Sequence, residues 1–475
     1  MTTGLANHPE VRQDFELRFM ASTPVHVGGL GADTVTDLPL ATDGQGRLVI
    51  PGSSWAGVLR ELARRYLTSA EEALFGFQKK EAPAEGHASR LFVADTPVGV
   101  DAGRVELRTG VGIDRRWGAA AHQIVYDRLV LAAGTPLILY LRYEGPDGTD
   151  AHRLVEIVRA LGLRIGAASS RGLGRLTCVE ATVHSVDLRS RSSLLTALGG
   201  QVEPTPVPPA ADVDGAIPRI ELAWRTRRPV LVGGPSPGEK ADLVPLLIRS
   251  TDGRGLVPVL PGSSVKGVLR SLAERVLRTL IPDEVPRPGR GFVEAMSTVG
   301  KGAPAFEVLF GSREQAGALS VPDTSAVAEP VGDDAWRRYL EGQPLTAGWS
   351  HERTHVAIDR WTGGAAESRL FTVQETAGVR WQPLRLELDA RRLAQVPEER
   401  RLGAVLLLGV AVGLLRDGLA GVGHGTTRGL GEIEVTGIAV HGAVQWGVSP
   451  YPEGGDWWAW LRDLSGGLGL EWVKE

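Results

Sequence analysis

Two glycine-rich loops each hold an aspartate close to a proline. HVGGLGADTVTDLPLATD, from His26, carries Asp37 before Pro39, and LVGGPSPGEKADLVPLLIRS, from Leu231, carries Asp242 before Pro245. A carboxylate set against a polyanion repels it unless it binds Mg²⁺ or takes up a proton, such as that of a ribose 2′-hydroxyl attacking the adjacent phosphate in line. Either residue alone reads equally well as a solvated turn aspartate. Their recurrence in loops aligned on a shared VGG gives them weight. His26 titrates near neutrality and is placed for a base, but Leu231 stands in its position in the second loop, so a structural role fits it better.

The complementary chemistry is anion binding. GAASSRGLG from Gly166 and GHGTTRGLG from Gly423 each combine glycines with Ser170, Arg171 and Gly172 or with Thr427, Arg428 and Gly429. Converging backbone amides, hydroxyls and a guanidinium suit a phosphate, whereas glycine alone would serve a helix C-cap. PGSSWAGVLR from Pro51 and PGSSVKGVLR from Pro261 agree at eight of ten positions. There a helix start offers free amides to an anion, with one serine of each pair (Ser53, Ser54; Ser263, Ser264) as N-cap and the other in excess. Lys266 adds a cation where the first copy has Ala56.

These matches are collinear with RTGVGIDR from Arg108 and RTHVAIDR from Arg353, so two homologous modules lie in tandem. Each opens on an alternating strand: Phe15, Leu17, Phe19 in one, Ile220, Leu222, Trp224 in the other. The PGSS helix follows, with Trp55, Leu59, Leu62 and Tyr66, or Val265, Leu269, Leu272 and Val276, as its apolar stripe. A later strand (Leu137 to Tyr143; Leu384 to Leu388) is expected to pair with the RTxVxIDR strand across a projecting excursion, Trp117 to Gly134 or Trp361 to Trp381. Helices near Ala151 to Leu163 and Glu399 to Arg416, the RGLG turn and a last strand complete each module. The fold class is α+β: two tandem ferredoxin-like, RRM-like βαββαβ modules with glycine-rich loops and protruding thumb hairpins. Their expected bounds are 1–189 and 219–441, with a proline-rich linker at 190–218, a mobile insertion around Ile281 to Pro304, and a tryptophan-rich tail at 442–475. The tail either packs within the chain or docks a neighbouring subunit.

A hydrophobic fraction of 43% and a charged fraction of 23% suit globular modules with their own cores. One cysteine, Cys178, excludes a disulfide framework and a cysteine-built zinc site, and fits a reducing cytoplasm. The longest apolar run, Leu402 to Leu415, is too short to span a bilayer and reads as a buried helix; no signal peptide or membrane association is expected. Net charge is −4, yet 46 arginines against 6 lysines favour forked contacts to phosphate and stacking on bases, or simply reflect GC-rich coding. No nucleophilic triad, Walker loop, HExxH or dinucleotide fingerprint is present, which disfavours ordinary metabolic chemistry.

The combination of VGG, loop Asp, PGSSxxGxLR, LFG at Leu74 and Leu309, VxIDR and a terminal RGxG resembles the CRISPR-associated RAMP superfamily, in particular backbone subunits of type III effector complexes with two modules fused in one chain. The resemblance spans roughly residues 12–188 and 219–441. It implies guide crRNA bound along each palm, thumbs after Arg115 and Arg360 that splay a nucleotide of the guide–target duplex, and cleavage of target RNA by the loop acids with a divalent metal, Mg²⁺. By position the acids are Asp37, with Asp33 as fallback, and Asp242, which departs from the pattern because Leu243 and Val244 precede Pro245. Arg60 and Arg270, ending the PGSS motif, and Arg115 and Arg360 are implied RNA contacts beside those above. Other effector subunits are implied partners. Two rivals remain: a scaffold without catalysis in one or both modules, the second being the better candidate, and a guide-processing endonuclease relying on His26.

Overall fold

The computed structural model describes residues 9–29, 36–78, 86–99, 104–114, 118–199, 202–213, 217–234, 239, 241–250, 253–285, 299, 302–312 and 314–466. The chain divides into two compact units. The first comprises Met1–Glu106, Leu129–Ser169 and Leu173–Gly215; the second comprises Leu107–Arg128, Ser170–Gly172 and Ala216–Glu475.

In chain order the first repeat gives β1 (Val11–Ala21), α1 (Gly52–Tyr66), β2 (Leu91–Val93), β3 (Val105–Asp114), β4 (Ala119–Leu131), β5 (Pro136–Gly145), α2 (Thr149–Leu161) and β6 (Arg175–Asp187). The alternation of Phe15, Leu17 and Phe19 places β1 at the centre of an antiparallel sheet ordered β6–β1–β5–β2, the ferredoxin-like order. Its inner face, with Leu137, Leu139 and Leu141 from β5, shares one core with Trp55 and Leu59 of α1 and Leu154 and Val158 of α2. Phe19 and Trp55 stack at 5.4 Å between ring centroids.

The second repeat gives β7 (Arg219–Thr226), α3 (Gly262–Leu280), β8 (Leu319–Ser320), β9 (Ser350–Ile358), β10 (Ala365–Thr376), β11 (Leu384–Leu388), α4 (Glu398–Arg416) and β12 (Ile433–His441). Its sheet is ordered β12–β7–β11–β8. The apolar run from Leu402 lies in α4, which is buried nearly all round.

One pairing differs from the sequence expectation. The RTxVxIDR strands do not join the palms: β3 pairs with β4, and β9 with β10, as two-stranded ribbons that are themselves the hairpins. Their alternation does not mark a buried face, since Val111, Val356 and Ile358 are all about half exposed. The palm position beside β5 and β11 belongs to the short β2 and β8, whose few residues give no periodic signal.

The proline-rich stretch also does structural work. Thr205–Pro206 pairs with Thr182 and Val183 of β6, and Val207 and Ala210 are buried in the first core. Most of the insertion expected around Ile281 to Pro304 lies outside the described residues, as does Trp472. The rest of the tryptophan tail packs within the second unit, through α5 (Trp457–Ser465). Trp446 and Trp457 are fully buried, and the Trp457 indole N–H donates to the Gly409 carbonyl at 2.9 Å. Gly409 and Gly413 of α4 leave the space that Leu461 and Trp458 fill. Trp457→Ala should therefore destabilise the second unit by about 3–5 kcal/mol, read as a lowered denaturant midpoint of one of two unfolding transitions.

Candidate functional site

Both long helices start at a proline N-cap without any side-chain cap. Ser53, Ser54, Ser263 and Ser264 lie inside the first turn instead of capping it, contrary to the sequence expectation. The cap comes from a distant carboxylate: the Gly52 amide donates to Asp95 Oδ1 at 2.7 Å, and the Gly262 amide to Asp323 Oδ1 at 2.9 Å. The amide expected to hold an external anion thus already holds one of the protein's own. Ser53 and Ser263 remain as exposed hydroxyls there. Asp95 and Asp323 escaped the motif search, although VADT at Val93 and VPDT at Val321 repeat a VxDT signal.

The motif arginines serve structure. Arg60 bonds Glu71 and donates to the Gly76 carbonyl at 3.0 Å. Arg270 donates to the buried Glu274 at 3.2 Å and lies 5.0 Å over the Phe306 ring. Neither guanidinium is held out for RNA. Lys266, expected to face an anion, is 8% exposed and donates to the carbonyls of Leu319 at 2.7 Å and Ser170 at 3.1 Å. Burial, with the cations Arg270, Arg171 and Arg392 around it, pushes its ammonium down to about 7.

The loop acids take equivalent places. In the first unit Val25 bridges Leu131, and the Leu129 amide donates to the Leu38 carbonyl at 3.1 Å. In the second Val230 bridges Thr376, and the Gln374 amide donates to the Leu243 carbonyl at 2.9 Å. Asp37 and Asp242 each immediately precede the leucine so held, and both are exposed. The intervening leucine and valine before Pro245 therefore do not shift Asp242 out of register with Asp37. Asp242 is tied further: its Oδ2 accepts the Thr372 amide at 2.8 Å, and its own amide donates to the Thr372 carbonyl at 2.8 Å. Asp33 lies outside the described residues.

The turns divide in character. Both form a single 3₁₀ turn, Ser169–Arg171 and Thr426–Arg428. Arg171 is exposed and donates to the Tyr126 hydroxyl. Gly172, at φ 88°, lies against the Val321 carbonyl and Pro322, where a Cβ would not fit. In the second turn Thr427, Arg428 and Gly429 are all exposed. Arg428 donates to His424 Nε2 at 2.9 Å and lies 5.9 Å over the Phe371 ring, which stacks on His355 at 5.2 Å. Phe371 adjoins Thr372, so the second turn and Asp242 meet on one strand, β10. Burial, then Arg428, lowers the His424 imidazole below its ordinary range, leaving Nε2 an acceptor at neutral pH. Neither histidine nor phenylalanine was singled out in the sequence.

Of the hairpin tips, Arg115 lies outside the described residues, while Arg360 is exposed beside Trp361, which is 96% exposed. His26 is buried, with Nδ1 2.7 Å from the Leu129 carbonyl, at the root of its hairpin and not toward solvent. Among the described residues no three metal-ligating side chains converge. Among the described residues the first loop exposes Asp37 and the second Glu239 and Asp242, sets that fit Mg²⁺ only where a bound phosphate supplies further oxygens. Among the described residues no helix is long and apolar enough to cross a membrane.

Lys266 sets a pH dependence. The unfolded chain keeps that proton to the ordinary lysine range, whereas the folded chain releases it near pH 7, so stability rises with pH above neutrality. Cys178, its thiol pushed up to about 11 by burial, opposes this only above about pH 9. Between pH 7 and 9 the wild-type chain should gain on the order of 2 kcal/mol, measured by denaturant midpoint, and Lys266→Met should remove that gain.

The model of the RAMP superfamily matches residues 18–177 and 229–434 of this sequence. No curated protein matches it. One similar solved structure is a chain of the type III-B Cmr-beta apo state, determined by cryo-EM: 10% identical, covering 35% of this chain and 97% of that one, with a TM-score of 0.30 that carries no structural weight.

Proposed function

Because this chain belongs to the RAMP superfamily, we propose that it is a type III CRISPR effector backbone subunit, two modules in one polypeptide, that binds guide crRNA and cleaves complementary target RNA with metal assistance. The observation that carries this reading is the matched placement of Asp37 and Asp242, each exposed beside the root of a projecting ribbon. Arg171 and Arg428, with the hydroxyls of Ser53, Ser263 and Thr427, supply phosphate contacts. Other effector subunits complete the assembly.

The chemistry needs little from each module. A ribbon that unstacks one nucleotide lets its 2′-oxygen, the phosphorus and the leaving 5′-oxygen align, a geometry that a stacked A-form helix resists. The loop carboxylate accepts the 2′-hydroxyl proton as the 2′-oxygen bonds phosphorus. The bond to the 5′-oxygen breaks, and that oxygen is protonated from water, leaving a 2′,3′-cyclic phosphate and a 5′-hydroxyl. Asp37 and Asp242 would each hold a divalent ion, which would supply charge neutralisation at the phosphoryl oxygens.

A scaffold role for the second module is favoured by one observation: Asp242 Oδ2 already accepts the backbone amide of Thr372. Reconstituted complex, incubated with end-labelled target RNA in Mg²⁺ and then in EDTA, separates the readings. Asp37→Ala is expected to remove one cut and Asp242→Ala another, each by at least about a hundredfold, with guide binding unchanged. Intact ladders in both variants would refute the assignment of catalysis, and loss from Asp37→Ala alone would assign the second module to scaffolding.

A further inference from the structure

Within the second unit, the Ser170–Gly172 turn is fastened by its backbone. Lys266 donates to the Ser170 carbonyl and to the Leu319 carbonyl of β8, and Gly172 packs on Val321 and Pro322 just beyond that strand. The charged groups facing Lys266 are Arg270, Arg171 and Arg392, all cations. Two of them are engaged elsewhere: Arg270 with Glu274, and Arg392 with Asp389 and the Ala316 carbonyl. Arg171, in the middle of the fastened turn, donates to the Tyr126 hydroxyl and is exposed. Neutral lysine has two N–H donors, matching the two carbonyls, so the fastening survives deprotonation.

We propose that Lys266 is a positioning residue, which holds the Ser170–Gly172 turn on β8 and so aims Arg171 at an RNA phosphate without touching RNA itself. The inference rests on the RNA-binding reading above. It accounts for a lysine at a helix position too buried to meet a ligand. It also explains the asymmetry of the repeats: the corresponding Ala56 has no donor, and no such fastening forms at that position in the first repeat.

Two measurements on the full chain test it. Amide hydrogen exchange without RNA should quicken about tenfold over residues 170–174 in Lys266→Met, while β1 is unchanged. Binding of a labelled, mixed-sequence single-stranded RNA should weaken about tenfold in Lys266→Met and in Arg171→Ala, and no further in the double variant, because both changes remove one contact. Additive losses would mean that Lys266 touches RNA directly and would overturn the proposal, as would unchanged exchange in Lys266→Met. An Arg171→Ala chain that binds like wild type would instead overturn the RNA-binding reading of the turn, leaving the exchange result to judge the fastening. Should Lys266→Met not fold, Lys266→Gln, which keeps N–H donors on a shorter arm, enters the same cycle with the same expected lack of additivity.

Discussion

One carboxylate per repeat fixes where the long helix begins, and the palm is built around that bond. Asp95 and Asp323 follow the edge strand and accept the first helical amide, at Gly52 and Gly262. A side chain at either glycine would strike the carbonyl of Val93 or Val321, so the helix abuts the strand at backbone distance. A negative charge at a helix N-terminus is favourable by itself, about 0.3–1 kcal/mol when exposed and more when partly buried. Its larger effect is geometric. With start and direction fixed, the stripe Trp55, Leu59, Leu62 falls on Phe15, Leu17 and Phe19, and Val265, Leu269, Leu272 on Ile220 and Leu222.

The ribbons obey a second constraint. A lone two-stranded ribbon is marginal in water: β9–β10 is exposed along most of its described length and depends on its root, while β3–β4 is also held along its length, where Arg108 lies 3.4 Å from Asp323 and Tyr126 accepts from Arg171. Each root is hydrogen-bonded to the glycine-rich loop that carries the acid: Leu129 to Leu38 in one unit, Gln374 to Leu243 in the other. The position of each acid is therefore tied to that of its ribbon root.

The legible parts of this fold were those with period and repetition. Alternation in β1, β5, β7 and β11 and the stripes of α1 and α3 fixed the sheet centre and the covering helices, because burial on one face writes itself into the sequence. The edge strands β2 and β8 are three and two residues long and left no period. The RTxVxIDR alternation misled because a solvated ribbon also alternates. At the site, residue types were legible but directions were not: Arg60, Arg270 and Lys266 have the chemistry of phosphate ligands, yet Glu71, Glu274 and two carbonyls claim them. Those partners are remote or nonspecific in sequence, and only packing brings them close.

The two roots share backbone geometry and differ in how they are held. In the first, Val130 is fully buried and His26 Nδ1 faces the Leu129 carbonyl. In the second, the corresponding residue is Glu375, also fully buried, whose carboxylate oxygens find no hydrogen bond among the described residues and whose ion-pair partner, Arg353, lies at 3.4 Å with a part-exposed side chain. A buried carboxylate with so thin a shell is costly, by several kcal/mol in unrelaxed form, and it makes the second root the electrostatically strained one. Asp242 is fastened to Thr372 through its side chain as well as its backbone. Equal placement of the two acids on unequal roots means that the pseudo-symmetry of the chain extends to position but not to the groups packed at the root. Duplication has preserved the frame that presents an acid and changed the forces that hold it.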